Sequence, residues 1–189
     1  SNSLNWTMSV SFSHNSSEYR KIGDKLNQFN RENLSKSLTR YYDGGSPTAL
    51  WAVSSAGIDP ATGQEIFITK DGAYTFKHSY ADEVVVGDTR PDLEGVIGNT
   101  LYWKGFSASV YCRYSLGGKA FNSTLYNKVE SISRTDLSSN QDKRALYDRW
   151  QKPGDIAQFK GIRETSSTPM SSRFVQDNDY FTIESVHVG

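Results

Sequence analysis

Cysteine is nearly absent: Cys112 is the only one in 189 residues. A lone thiol excludes an internal disulfide, so the fold is not a stapled mini-domain. It also excludes zinc sites built from four cysteines or from two cysteines and two histidines. The three histidines, His14, His78 and His187, stand far apart in the chain with no metal-ligand spacing. No cofactor is expected. Net charge is missing too, because 21 Lys+Arg balance 21 Asp+Glu. That removes the electrostatic footprint of a nucleic-acid partner or an anionic membrane surface. No apolar run approaches the ~18 residues of a membrane-spanning helix, and the first residues carry no signal-peptide pattern. A Gly-x-Ser-x-Gly elbow is absent, and residues 136–142 lack the central Gly and terminal Glu of a calcium loop. No carboxylate pair stands out for glycoside hydrolysis. An enzyme is therefore not expected. Four Asn-x-Ser/Thr sequons, at Asn5, Asn15, Asn33 and Asn122, are what an Asn- and Ser-rich chain produces by chance.

Aromatic residues, by contrast, are plentiful at 13%, with 11 Tyr, 9 Phe and 4 Trp, while the hydrophobic fraction is only 36%. This mixture suits either a secreted all-β domain with an aromatic binding face or a transmembrane barrel with aromatic girdles. Barrel strands are short and half apolar, so the missing apolar run does not bear on them.

The clearest local signal is Trp6-Thr7-Met8-Ser9-Val10-Ser11-Phe12-Ser13. Its period of two gives a strand with Trp6, Met8, Val10 and Phe12 on one face and hydroxyls on the other. Ile22, Leu26 and Phe29 have helical spacing within 18–38. Residues 49–78 read as a small antiparallel meander of short strands, turning at Asp59-Pro60 and Asp71-Gly72. A strand at Val84-Val85-Val86 ends at a turn over 87–95 containing Pro91. One long strand then runs from Asn99 to Tyr114, with Trp103, Tyr111 and Arg113 on its polar face. It exceeds the usual length of about 5–6 residues in globular strands. Leu125, Val129 and Ile132 suggest a helix, and so do Leu146 and Trp150 after Asp142. Polar loop continues to about residue 172. The last strand, 180–188, changes apolar phase between Ile183 and Val186, which predicts a β-bulge. Long connections (18–80 and 117–172) alternate with a short one, as in an outer-membrane barrel with long extracellular loops and short periplasmic turns.

Several blocks resemble the late barrel region of SusC/RagA-type TonB-dependent transporters. They are 6–15, Gly57-Ile58-Asp59-Pro60-Ala61-Thr62-Gly63 continuing to Phe67, and Val85-Val86-Gly87-Asp88-Thr89-Arg90-Pro91. Further along come 98–106, 117–122, Asp148-Arg149-Trp150-Gln151-Lys152-Pro153-Gly154 and 172–177. Each is weak alone; their order and spacing across nearly the whole chain make the match specific. The resemblance implies an all-β antiparallel meander, residues 1–189 forming part of a 22-stranded transmembrane barrel. The plug, the TonB-contacting segment and the final strands would lie outside it. It implies import of oligosaccharides or peptides at the outer membrane of a Gram-negative bacterium. The implied partners are a SusD-like surface lipoprotein as lid, TonB through the missing N-terminal region, and outer-membrane lipid.

Within that frame the candidate lumen-facing residues are Thr7, Ser9, Ser11, Trp103, Tyr111 and Arg113. The candidate loop contacts to lid or substrate are Tyr41, Tyr42, Trp51 and Tyr80, whose ring faces suit either packing or a sugar. The alternative reading is a soluble secreted carbohydrate-binding β-sandwich, which would bury its apolar face against a second sheet.

Overall fold

The computed structural model describes residues 3–132, 135–162 and 167–189. The polar-loop reading of 163–166 lies outside them. In chain order the strands are β1 (Asn5–Ser13), β2 (Ala49–Ile58), β3 (Glu65–Ile68), β4 (Tyr74–Thr75), β5 (Glu83–Asp88), β6 (Leu93–Trp103), β7 (Phe106–Leu116), β8 (Lys119–Phe121), β9 (Val175–Asp177) and β10 (Tyr180–Val188). The chain divides into two units.

The first unit holds residues up to 17, 88–120 and 177–189. It is an antiparallel sheet in the order β1-β6-β7-β10. The single long strand expected over 99–114 is instead a hairpin. Trp103 pairs with Phe106, and Lys104 and Gly105 form a two-residue turn with φ of 49° and 87°. Two consecutive positive φ values match the right-handed strand twist, and Gly105 takes its value without steric cost. Lys104, which breaks the apolar alternation, was the mark of that turn. The tight connection of the sheet is therefore 104–105. The turn expected over 87–95 is only 89–92, because 87–88 belong to β5 and 93–95 are paired in β6; it is at the opposite end of the sheet, where both long connections also leave. There the His14 ring meets the Asp92 carbonyl at 2.7 Å, and Gly117 N donates to Asp179 Oδ1 at 2.7 Å.

Register fixes the faces, since side chains of paired residues point the same way. Trp6, Met8, Val10 and Phe12 align through Leu101 and Ile97 of β6 with Ala108, Val110, Cys112 and Tyr114 of β7, then with Phe181, Ile183, Val186 and Val188 of β10. This side is apolar and open: Phe12 is 77% exposed and Val188 70%. Asn99 is its polar exception, accepting from Trp6 Nε1 at 3.3 Å. The expected bulge is present, with the register shifting between Ile183 and Ser185. The extra residue, Glu184, reaches Arg113 on the polar side at 2.5 Å.

The second unit holds 18–87 and 121–176. Its sheet has the order β4-β3-β2-β5, so the meander expected over 49–78 is present. It differs in two ways: β2 is a ten-residue strand, and β5, expected in the barrel wall, is an edge of this sheet. The Asp59 turn is closed by its own carboxylate, which accepts from Ala61 N and Thr62 N at 3.2 Å each. The Trp150 ring lies against Gly63, where a Cβ would sit 2.5 Å from it, and Trp150 Nε1 donates to the Pro60 carbonyl at 2.9 Å.

Helices are shorter than the spacing predicts. A 3-10 turn, Gly23–Leu26, runs into α1 (Asn27–Glu32), whose Asn30 amide both donates to and accepts from the Tyr41 backbone. Leu125–Glu130 is a π-helical turn, and α2 (Arg144–Tyr147) stops before Trp150. Among the described residues, two apolar clusters form the core. One contains Leu125, Val129, Ala145, Phe159 and Phe174; the other contains Leu38, Leu50 and Ala52.

Candidate functional surfaces

The polar side of the four-stranded sheet carries Thr7, Ser9 and Ser11 of β1, Tyr111 and Arg113 of β7, and Thr182, Ser185 and His187 of β10. Gly98 brings two of these together. A Cβ there would lie 2.6 Å from Ser9 Oγ and 2.8 Å from the Tyr111 ring. The glycine lets the tyrosine lie flat across the strand toward the serine. Ser11 Oγ accepts from Val96 N at 3.1 Å, one strand from Arg113. Trp103 must be reassigned. It pairs with Phe106 on the apolar side, because the 104–105 turn reverses the chain and with it the parity of every residue before it. Lys104 Nζ lies 4.9 Å from the centre of its ring.

Of the four loop aromatics, three meet. Tyr42, Trp51 and Tyr80 line one cleft of about 300 Å³ with Lys70 and Glu83. Tyr42 and Trp51 make an edge contact at 5.1 Å between centroids. Trp51 Nε1 is buried with no hydrogen-bond partner, an unused donor on a residue of that wall. Burial, followed by the neighbouring Glu83, raises the Tyr80 phenol above its ordinary range. Tyr41 stands apart, packed between Tyr19 at 5.6 Å and Phe29 at 5.5 Å.

The charged groups that organise this unit carried no local signal in the sequence. Arg40, with no side-chain exposure, meets Glu83 at 2.6 Å and donates to the carbonyls of Leu34, Ser37 and Thr39. Arg173 joins Glu65 and Glu130 at 2.9 Å each. Burial pulls the Arg173 guanidinium down, but hydrogen bonds to Glu130 and Glu65 outweigh it and hold the group above its usual value. Among the described residues, Arg149 makes no such carboxylate contact. Its guanidinium donates to the carbonyls of Val129, Glu130, Ala145 and Lys160, and burial lowers it. His78 sits edge-on between Phe67 (5.1 Å) and Tyr80 (4.7 Å), and burial keeps its imidazole below the ordinary value.

An antiparallel sheet with one apolar open side, one hydroxyl-rich side, a two-residue turn at one end and long excursions at the other has the build of a transmembrane β-barrel wall. Comparison with known proteins gives the same class. No protein-family profile matches the chain. It is 28% identical over 148 residues to TonB-dependent receptor P3 of Formosa agariphila, covering 78% of this chain and 14% of that receptor. In fold it matches the RagAB peptide importer over 98% of its length. The TM-score is 0.75 at 18% identity in the closed-closed state and 0.74 at 18% in the open-open state, covering 20% of the importer chain in each case. The chain thus spans about a seventh of the curated relative and a fifth of the solved ones. In sequence and fold it resembles part of the barrel of a SusC/RagA-type TonB-dependent transporter.

Proposed function

We propose that residues 1–189 are a stretch of the wall and outer loops of an outer-membrane TonB-dependent transporter that imports oligosaccharides or peptides. The family resemblance supports a 22-stranded barrel, a SusD-like lipoprotein lid and coupling to TonB through a region outside this chain. The observation that carries the reading is the two-sided sheet. Phe12, Phe181, Ile183, Val186 and Val188 are each more than half exposed on one side, and hydroxyls fill the other. Lipid cannot satisfy a row of hydroxyls, whereas a wet lumen can. The edges of β1 and β10 would be closed by further strands of the same barrel. Thr7, Ser9, Ser11, Tyr111 and Arg113 then line the lumen. The Tyr42, Trp51 and Tyr80 cleft faces lid or substrate. A carbohydrate-binding sandwich would need a second sheet over the apolar side, and its large side chains are exposed instead.

Spin labels test the reading in the full-length protein reconstituted in vesicles. Labels at Met8 and Val10 are expected to be accessible to oxygen and shielded from a water-soluble nickel reagent. Labels at Ser9 and Ser11 are expected to show the opposite. The reverse pattern would sink the proposal.

A further inference from the structure

The apolar side of the wall is not uniform. Gly95 has no side chain, and Tyr114 of β7 uses the space. Its hydroxyl donates to the Ser11 carbonyl of β1 at 3.0 Å, passing a point 2.7 Å from where a Gly95 Cβ would be. The ring is pinned down along the sheet. Beside it lies a depression of about 450 Å³ lined by Ile97, Tyr114, Leu116, Asp179, Tyr180 and Phe181. It is an open depression on the sheet face rather than an enclosed pocket. We infer that this groove is a binding site for one acyl chain of a membrane lipid, held at the end of the wall from which the long connections leave. The inference rests on the lipid-facing reading above.

Three observations select an acyl chain. The groove is continuous with the open apolar side, through Ile97 and Phe181 to Cys112, Ile183 and Val186. An extended protein segment is a poor occupant at that depth, since its backbone groups would stay unpaired in hydrocarbon. Among the described residues the lining of the groove holds no cation to anchor a phosphate, and its one charged member is an acid. Asp179 is a carboxylate already receiving Gly117 N, and Lys119 is paired with Asp177. The chain of the lipid, not its headgroup, is what the groove holds.

The test uses the full-length protein in detergent, titrated with palmitoyl-oleoyl phosphatidylcholine and read by native mass spectrometry. The wild type is expected to retain one lipid under detergent exchange that strips the rest. Ile97→Trp, which fills the groove, should cut that retention at least tenfold. Phe181→Ala, which removes a wall, should weaken it as well. Val188→Trp, at the far end of β10 on the same side, should leave it unchanged. Equal retention in wild type and Ile97→Trp, or equal loss in Ile97→Trp and Val188→Trp, would mean ordinary annular lipid and overturn the site. A spin label at Val186 separates the two proposals. If it reports water, the lipid-facing reading itself has failed; if it reports hydrocarbon while retention is equal, only the groove has failed.

Discussion

At the scale of single residues, buried charge governs the second unit. Arg40 and Glu83 are 43 positions apart, with 0% and 8% of their side chains exposed. Removing one partner of such a pair leaves an uncompensated buried charge, at a cost of about 3–5 kcal/mol. Arg40→Met is therefore expected to open this unit to protease well below the wild-type unfolding temperature. Adding Glu83→Leu should recover part of the loss, because it removes the unpaired buried carboxylate, while the carbonyls of Leu34, Ser37 and Thr39 remain without their donor. Limited proteolysis across a temperature series checks both; a double variant as weak as the single one would contradict this account. None of this was legible beforehand. An arginine beside Tyr41 and a glutamate beside Val84 read as surface residues until the fold brings them together. The same holds for the loop aromatics, three of which converge while Tyr41, adjacent in sequence to Tyr42, points into a different packing.

At the scale of elements, period and phase were the readable quantities. The alternation in β1 and the phase change in β10 both reappear, the second as the bulge that delivers Glu184 to Arg113. The hairpin was not legible because Lys-Gly is not among the strong turn pairs. A chain that reverses over two residues also leaves apolar residues on both sides of the turn. The remaining clue was parity: Leu101 and Trp103 are odd, Phe106 to Tyr114 even. Lys104, a non-glycine at φ 49°, occupies a conformation costing roughly 1–2 kcal/mol for an L residue. Lys104→Asn should stabilise the wall slightly, since Asn-Gly is the preferred pair for this turn. Gly105→Val should impair barrel assembly, because a β-branched side chain opposes φ 87°. Heat-modifiable migration on gels of the full-length protein reads both; unimpaired assembly of Gly105→Val would show that the turn is not as described.

At the scale of the whole molecule, alternation of short and long connections was readable, but the end at which Pro91 stands was not. Val84-Val85-Val86 has the composition of a wall strand, and only pairing places it at the edge of the smaller sheet. The corrected path makes a directional prediction for intact cells. A membrane-impermeant maleimide should label Tyr74→Cys, where the native residue is 73% exposed on the first long connection. It should not label Lys104→Cys until the outer membrane is permeabilised. Labelling of Lys104→Cys alone in intact cells would invert the orientation.

The ties at the strand ends have an architectural consequence. Ser13 pairs with Glu94, so the excursion between them departs and returns about 5 Å apart, the spacing of neighbouring strands. His14 and Asp92 fasten its base. To the wall, the whole excursion from Ser13 to Glu94, with the sheet of β2 to β5 on it, is equivalent to a two-residue turn. Such a base acts as a socket. Residues can be added to the excursion or taken from it while the pairing order of the wall strands stays as it is, but its fold is shared with 121–176, so the two long connections change together.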